Sequence, residues 1–129
     1  AGMSRNEKGL KKAIKEIQKL RKDFLKDLFV PGDLYSMNTE LEKAARIWDF
    51  LELGELFAMD ALERNESCGG HYREESVETD GPQKGEAKRD DKNYSYVSAW
   101  EFHEEPSNAI LHKEVLEFNN IEVKQRSYK

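Results

Sequence analysis

Leu10, Ala13, Ile14, Ile17, Leu20, Phe24, Leu25 and Leu28 recur at steps of three and four. That spacing aligns side chains along one face of an α-helix, whereas a strand turns alternate residues to opposite sides. Ser4 and Glu7 stand at capping-box spacing ahead of this stripe, so each side chain is expected to satisfy a free amide at the helix start. Lys11, Lys12, Lys15, Glu16, Lys19, Arg21 and Lys22 fall mostly on the opposite face and read as solvated. Pro31-Gly32-Asp33 is expected to end the helix. Asn38 is a good N-cap for a second helix, with Leu41, Ala44, Ala45, Trp48 and Leu51 as its buried stripe and Ile47 flanking. Gly54 interrupts a pattern that resumes through Leu56, Phe57, Ala58, Met59, Ala61 and Leu62. Either two helices break near Leu53-Gly54 or one long helix kinks there. The arms are expected to pack antiparallel, with Ala44, Ala45, Ala58 and Ala61 small enough for close approach. The fold class expected is mainly α: an antiparallel three-helix, spectrin-like bundle over residues 1–68.

Gly69-Gly70 closes the helical region, and residues 77–93 hold turn formers with almost no apolar content, which predicts a loop. Tyr94, Tyr96, Trp100 and Phe102 then alternate with Ser95, Val97, Ala99 and Glu101, a strand pattern. A second extended stretch is expected over about Val115 to Val123, where the parity of the apolar positions flips across Asn119-Asn120 and calls for a bulge or turn. The two stretches would pair as a small antiparallel ribbon. Because a lone two-stranded ribbon is marginal in water, it should lean on the helices or on other protein. Residues 69–129 thus form a loop, a β ribbon and an extended tail packed on the bundle.

Net charge is −5 with both signs interspersed, which argues against a nucleic-acid partner, since that needs a clustered basic surface. One cysteine excludes an internal disulfide framework and fits a reducing compartment. No apolar run approaches the roughly 20 residues that span a bilayer, and no signal peptide is visible. The densest chemistry lies in Arg64-Asn65-Glu66-Ser67-Cys68-Gly69-Gly70-His71-Tyr72-Arg73-Glu74-Glu75, directly after a helical pattern. Cys68 and His71 make half of a zinc site, but no second cysteine exists, and His103 and His112 are the other nitrogen candidates. A Cys68–His71 nucleophilic pair would support a hydrolase, although such pairs usually come from distant segments. Glu66, Glu74 and Glu75 beside Arg64 and Arg73 read more simply as an ion-paired network that fixes a chain leaving a helix. Neither a dinucleotide-binding glycine motif nor a P-loop is present.

The segment 64–75 resembles the R-x-E-S-R-G-x-H-x-R-x-[DE] signature in the C-terminal region of succinate dehydrogenase and fumarate reductase flavoprotein subunits. Gly2-Met3-Ser4-Arg5 with Gly9-Leu10, Asn38 before a Leu/Ala-rich helix, Arg89-Asp90-Asp91-Lys92-Asn93 and Arg126-Ser127-Tyr128-Lys129 are similar to that family in the same order. The likeness is strongest to the bacterial, fumarate reductase-like branch. Cys68 stands where the family usually has arginine, so no role is carried onto that position. The resemblance implies one domain of a larger FAD-dependent oxidoreductase that interconverts succinate and fumarate in electron transport and the tricarboxylic acid cycle. The parent would hold the FAD and the catalytic residues upstream. This domain would be an inactive scaffold with no catalytic, cofactor-binding or metal residue of its own.

By the same resemblance, Arg64, Glu66, Ser67, His71, Arg73 and Glu75 would form a polar junction at a domain or subunit interface. Its partners would be the FAD-binding and capping domains of the same subunit and the iron–sulfur subunit, with a membrane anchor reached only indirectly. The complex would lie in the cytoplasm, peripheral on the inner face of the bacterial membrane. Two alternatives are a free-standing helical interaction module and the related C-terminal domain of L-aspartate oxidase.

Overall fold

Seven elements follow one another in the computed structural model, which describes residues 2–33 and 35–124. They are β1 (Ser4–Arg5), α1 (Glu7–Asp27), α2 (Thr39–Glu63), β2 (Tyr72–Arg73), α3 (Asp91–Tyr94), β3 (Tyr96–His103) and β4 (Glu105–Val115). The chain is mainly helical, with a small antiparallel sheet. Three helices are present, but the third is a single turn and supplies no bundle arm. Residues 39–63 are one helix that runs straight through Gly54. The spectrin-like arrangement is therefore replaced by a helical hairpin flanked by a ribbon. The expected tail motif at 126–129 lies outside the described residues.

The start of α1 differs from the capping-box expectation. Its N-cap is Asn6, whose side chain accepts from the Gly9 amide at 2.7 Å. Ser4 lies outside the helix because β1 pairs in parallel with β2, Ser4 opposite Tyr72 and Arg5 opposite Arg73. The helix also ends before the proline: Leu28 already has extended geometry, and its amide bonds to the Phe24 carbonyl at 3.1 Å.

Asn38 does cap α2, accepting from the amides of Glu40 and Leu41. Its Nδ2 reaches back to the Pro31 carbonyl at 2.9 Å, so one side chain fixes both ends of the interhelical turn. Gly32 makes room for it. At φ +118° Gly32 occupies backbone space that L residues rarely adopt, and a Cβ there would meet Asn38 Nδ2 at 2.4 Å. Gly54 is different, since a Cβ would only touch Ile17 Cδ1 at 3.9 Å. Gly32→Ala should therefore lose about 1–3 kcal/mol through strain and a disturbed cap. Gly54→Ala should gain about 0.5–1 kcal/mol by removing backbone freedom from the unfolded chain. Urea midpoints of the two variants, moving in opposite directions, check both.

The helices meet along Ala44, Ala58 and Ala61 of α2, all buried, and Leu10 of α1. Ala45, by contrast, is exposed. Phe24 and Trp48 pack with ring centroids 6.2 Å apart. The apolar stripe of α1 outruns its cover, for Leu20, Leu25 and Leu28 all remain substantially exposed. Arg21, expected on the solvated face, is buried in the contact between the helices at 6 % exposure. The fully buried Glu55 of α2 faces it.

The strand alternation holds over 96–101 but fails at Phe102, which is exposed where the ladder shifts. Tyr96 is buried and Trp100 half-buried, while Val97, Ala99 and Glu101 face out. The partner strand is Glu105–Val115, not the expected 115–123, of which only Val115 is in the strand; residues 116–124 have no regular structure. Tyr96 pairs with Val115 and Glu101 with Ile110. The ladder then shifts between Glu101 and His103, so the bulge of the ribbon lies there, while the chain bends at Asn119-Asn120 outside it. Pro106 cannot donate to a ladder. It is tolerated at the start of β4, where the register has just shifted and where it is buried. The ribbon lies along α2, with the Trp100 indole donating to Asp60 Oδ1 at 2.9 Å. Between β2 and α3 the polar loop folds back on itself through a Val77–Ala87 bridge. It returns Lys88 to Ser67, whose amide donates to the Lys88 carbonyl at 2.8 Å.

Candidate functional site

An antiparallel helical pair places the C-terminus of one helix beside the N-terminus of the other. Here the unpaired carbonyls at the end of α2 lie near the unpaired amides at the start of α1. These ends carry opposite partial charges, and each needs hydrogen-bond partners. The last turn of α2 contains no basic residue. The cation comes instead from Arg73, which is 2 % exposed and donates Nη1 to the carbonyls of Ala61 and Leu62 at 2.9 and 3.2 Å. Its Nε donates to Glu75 Oε2 at 3.1 Å, and Glu75 Oε1 accepts from the Glu7 amide at 2.6 Å. Negative helix end, arginine, glutamate and positive helix end thus follow one another in alternating charge. The Glu7 amide bond, ahead of the weaker contribution of Arg73, holds the Glu75 carboxyl below its usual range.

Glu74 continues the clasp onto the segment before α1. It accepts from Ser4 Oγ at 2.6 Å and Asn6 Nδ2 at 2.8 Å, and the Ser4 bond is the larger cause of its lowered pKa. Arg64, just past α2, reaches the other way. It donates to Glu66 at 2.7 Å and to the carbonyls of Tyr94 and Tyr96, each at 3.0 Å, and lies over the Tyr96 ring at 5.0 Å. Glu66 also accepts from the Asp90 amide at 2.8 Å. Ser67 is fully buried; its hydroxyl accepts from the Arg73 amide at 2.8 Å and donates to the Arg73 carbonyl at 3.1 Å. One short segment therefore ties together both helices, β1, the returning loop and the ribbon.

His71 completes the set. The Cys68 and His71 backbones bond to each other across Gly69-Gly70, where Gly69 has φ +58°. The His71 ring spans from Arg5 at Nδ1, 2.9 Å, to the Arg64 carbonyl at Nε2, 2.8 Å. Both ring nitrogens are thereby occupied. A zinc ligand or a general base for Cys68 needs a free lone pair on that ring, and none is available. Among the described residues no group of His, Cys, Asp and Glu is placed to hold a metal ion.

All six residues singled out in the sequence converge here, but three of them lie beneath the surface. Glu66, Ser67 and Arg73 are buried, so they shape the junction from within, while Arg64, His71 and Glu75 reach its rim. Arg5, Asn6 and Glu7 were not legible as partners, because they lie more than sixty residues upstream of the side chains they meet.

A family model for the fumarate reductase flavoprotein C-terminal region matches residues 1–128. The chain belongs to that family. Comparison with curated proteins gives no match. It is therefore the C-terminal domain of a succinate dehydrogenase/fumarate reductase flavoprotein, whose parent is an oxidoreductase carrying a flavin. In the flavoprotein domain described here, Gly69-Gly70 is not a dinucleotide-binding turn. A dinucleotide needs a glycine-rich turn between a strand and a helix, with free amides aimed at the phosphates. The Gly69-Gly70 turn leads from one bridged residue to another, and its flanking amides are already bonded.

Proposed function

We propose that this domain is the non-catalytic scaffold of a flavoprotein that interconverts succinate and fumarate. On this reading the hydride transfer at FAD takes place on upstream parts of the subunit, and the domain alone is inactive. The observation that carries it is a contrast between the two kinds of surface. The signature residues are saturated by partners inside the domain. Meanwhile Ile47, Phe50, Leu53 and Phe57, spaced three to four apart along α2, are 46–66 % exposed. A continuous apolar stripe of this kind marks a surface that other protein covers. The FAD-binding and capping domains of the same subunit, and the iron–sulfur subunit, are the partners proposed.

No described helix is long and apolar enough to cross a membrane. Attachment at the inner face of the cytoplasmic membrane is accordingly proposed to run through the other subunits. The test introduces Phe50→Asp with Phe57→Asp into the complete subunit. The expected result is loss of assembly and of succinate–fumarate turnover, with the domain's own circular dichroism unchanged. Full assembly and activity in the double variant, or turnover by the domain alone, would end this reading.

A further inference from the structure

We propose that His71 is a pH-sensitive latch: neutral, it ties β1 to the end of α2, and protonated, it releases that strand. The inference rests on the domain's own contacts and goes beyond the scaffold reading. A guanidinium can only donate a hydrogen bond and a carbonyl can only accept one. Nδ1, facing Arg5 Nη1 at 2.9 Å, must therefore carry the lone pair, and Nε2, facing the Arg64 carbonyl at 2.8 Å, must carry the hydrogen. The two contacts select one tautomer of the neutral ring. A second proton would turn N–H against N–H and place two cations at hydrogen-bond distance.

Among the side chains around it, the imidazolium would meet cations and no free carboxylate. Arg5 faces it from β1, Arg64 from the end of α2 and Arg73 from β2. The carboxylates nearby are committed elsewhere. Glu66 serves Arg64 and the Asp90 amide, Glu74 serves Ser4 and Asn6, and Glu75 serves Arg73 and the Glu7 amide at the start of α1. Burial first, and then the three arginines, push the imidazole below its ordinary 6.5, opposed only by the bond to the Arg64 carbonyl. The neutral ring is the form the fold binds. Its contribution is fully present above 6.5 and is lost as pH falls through the lowered value. What it holds is slight. β1 is two residues long, and besides its pairing with β2 it is fastened by the Glu74 amide on the Arg5 carbonyl at 2.8 Å and by Ser4 on Glu74. Acidification thus loosens the strand that leads into α1 before it reaches the helices.

The test is imidazole nitrogen NMR and amide exchange on the whole chain across pH 7 to 5. His71 is expected as the neutral Nε2–H tautomer at pH 7, titrating below the ordinary histidine range. In the same interval the opening constant of the Glu74 amide should rise by up to about tenfold per pH unit. In His71→Gln the amide oxygen can accept from Arg5 and the amide nitrogen can donate to Arg64, with no proton to gain. Glu74 protection should then become flat. Glu74 and Glu75, both held below 4.5, titrate outside this window. An Nδ1–H tautomer or titration at or above 6.5 in the unaltered chain would overturn the latch, as would an unchanged pH slope in His71→Gln. The first two readings decide the matter even if the glutamine variant does not fold.

Discussion

Replacing Arg73 with methionine should cost this domain about 3–5 kcal/mol, because it strips a buried cation from partners that stay buried. Two carbonyls in the last turn of α2, those of Ala61 and Leu62, accept from its Nη1 and lose that donor, whereas the Arg64 carbonyl, also reached at 3.4 Å, keeps His71. Methionine fills much of the volume but donates nothing, and each orphaned polar group costs about 1–3 kcal/mol. Glu75 suffers less, since its side chain is 40 % exposed and water can replace the lost bond. Against a total stability of roughly 5–15 kcal/mol, the loss brings the domain close to unfolding. Arg73→Lys should fall between, keeping the charge at the helix end but losing the fork that also reaches Glu75. Urea denaturation followed by far-UV circular dichroism measures both. A loss under 1 kcal/mol for the methionine variant would show that the helix end finds other partners.

A comparable loss, again about 3–5 kcal/mol, is expected from Arg21→Met, yet a second substitution should undo most of it. Arg21 donates to Glu55 at 3.2 Å, Glu52 at 3.1 Å and Glu105 at 3.0 Å, and lies 5.0 Å from the Trp48 ring centre. Glu52 and Glu105 retain solvent when it goes, whereas Glu55 is fully buried and keeps only the Gln18 amide at 2.7 Å. The penalty is therefore chiefly that of a carboxylate left charged in the helix contact. Arg21→Met with Glu55→Leu removes both buried charges and should approach or exceed the original stability. The arginine already leaves its Nε without a partner, so the pair is imperfectly compensated even when intact. A double-mutant cycle reads the coupling. Additive losses would refute the pairing account. The Glu105 contact also pins the start of β4, so in the single variant the ribbon tip should lose amide protection first.

These two arginines show how unevenly the sequence exposes its own logic. Arg73 sat in a motif dense with charge, and its importance was legible, although what it does there was not. Capping a helix twelve residues upstream in the chain requires the loop to return, and no local pattern records that. Arg21 gives no such sign. Among the lysines of α1 it looks like one more solvated cation, and only Glu55, an acid inside an otherwise apolar stripe of α2, hinted that a buried partner was needed. The second ribbon strand was misplaced for a related reason. Leu116, Phe118, Ile121 and Val123 look more strand-like than Pro106-Ser107-Asn108, yet the tight turn at Glu104, φ +61°, brings the latter stretch back beside β3.

By itself the sequence determined the helical character of both long stretches, the Asn38 cap, the inward Tyr96 and Trp100 of β3 and membership of a flavoprotein family. Each is written in short-range spacing or in a contiguous motif, because helix and strand periodicity record which face meets the interior. The tertiary structure alone decided that β1 pairs with β2, that α2 passes through Gly54 unbroken, that Arg21 is buried, and that the signature clasps opposite ends of two helices. Those outcomes depend on hydrogen bonds between groups far apart in the chain, and such partners leave no periodic trace in either segment.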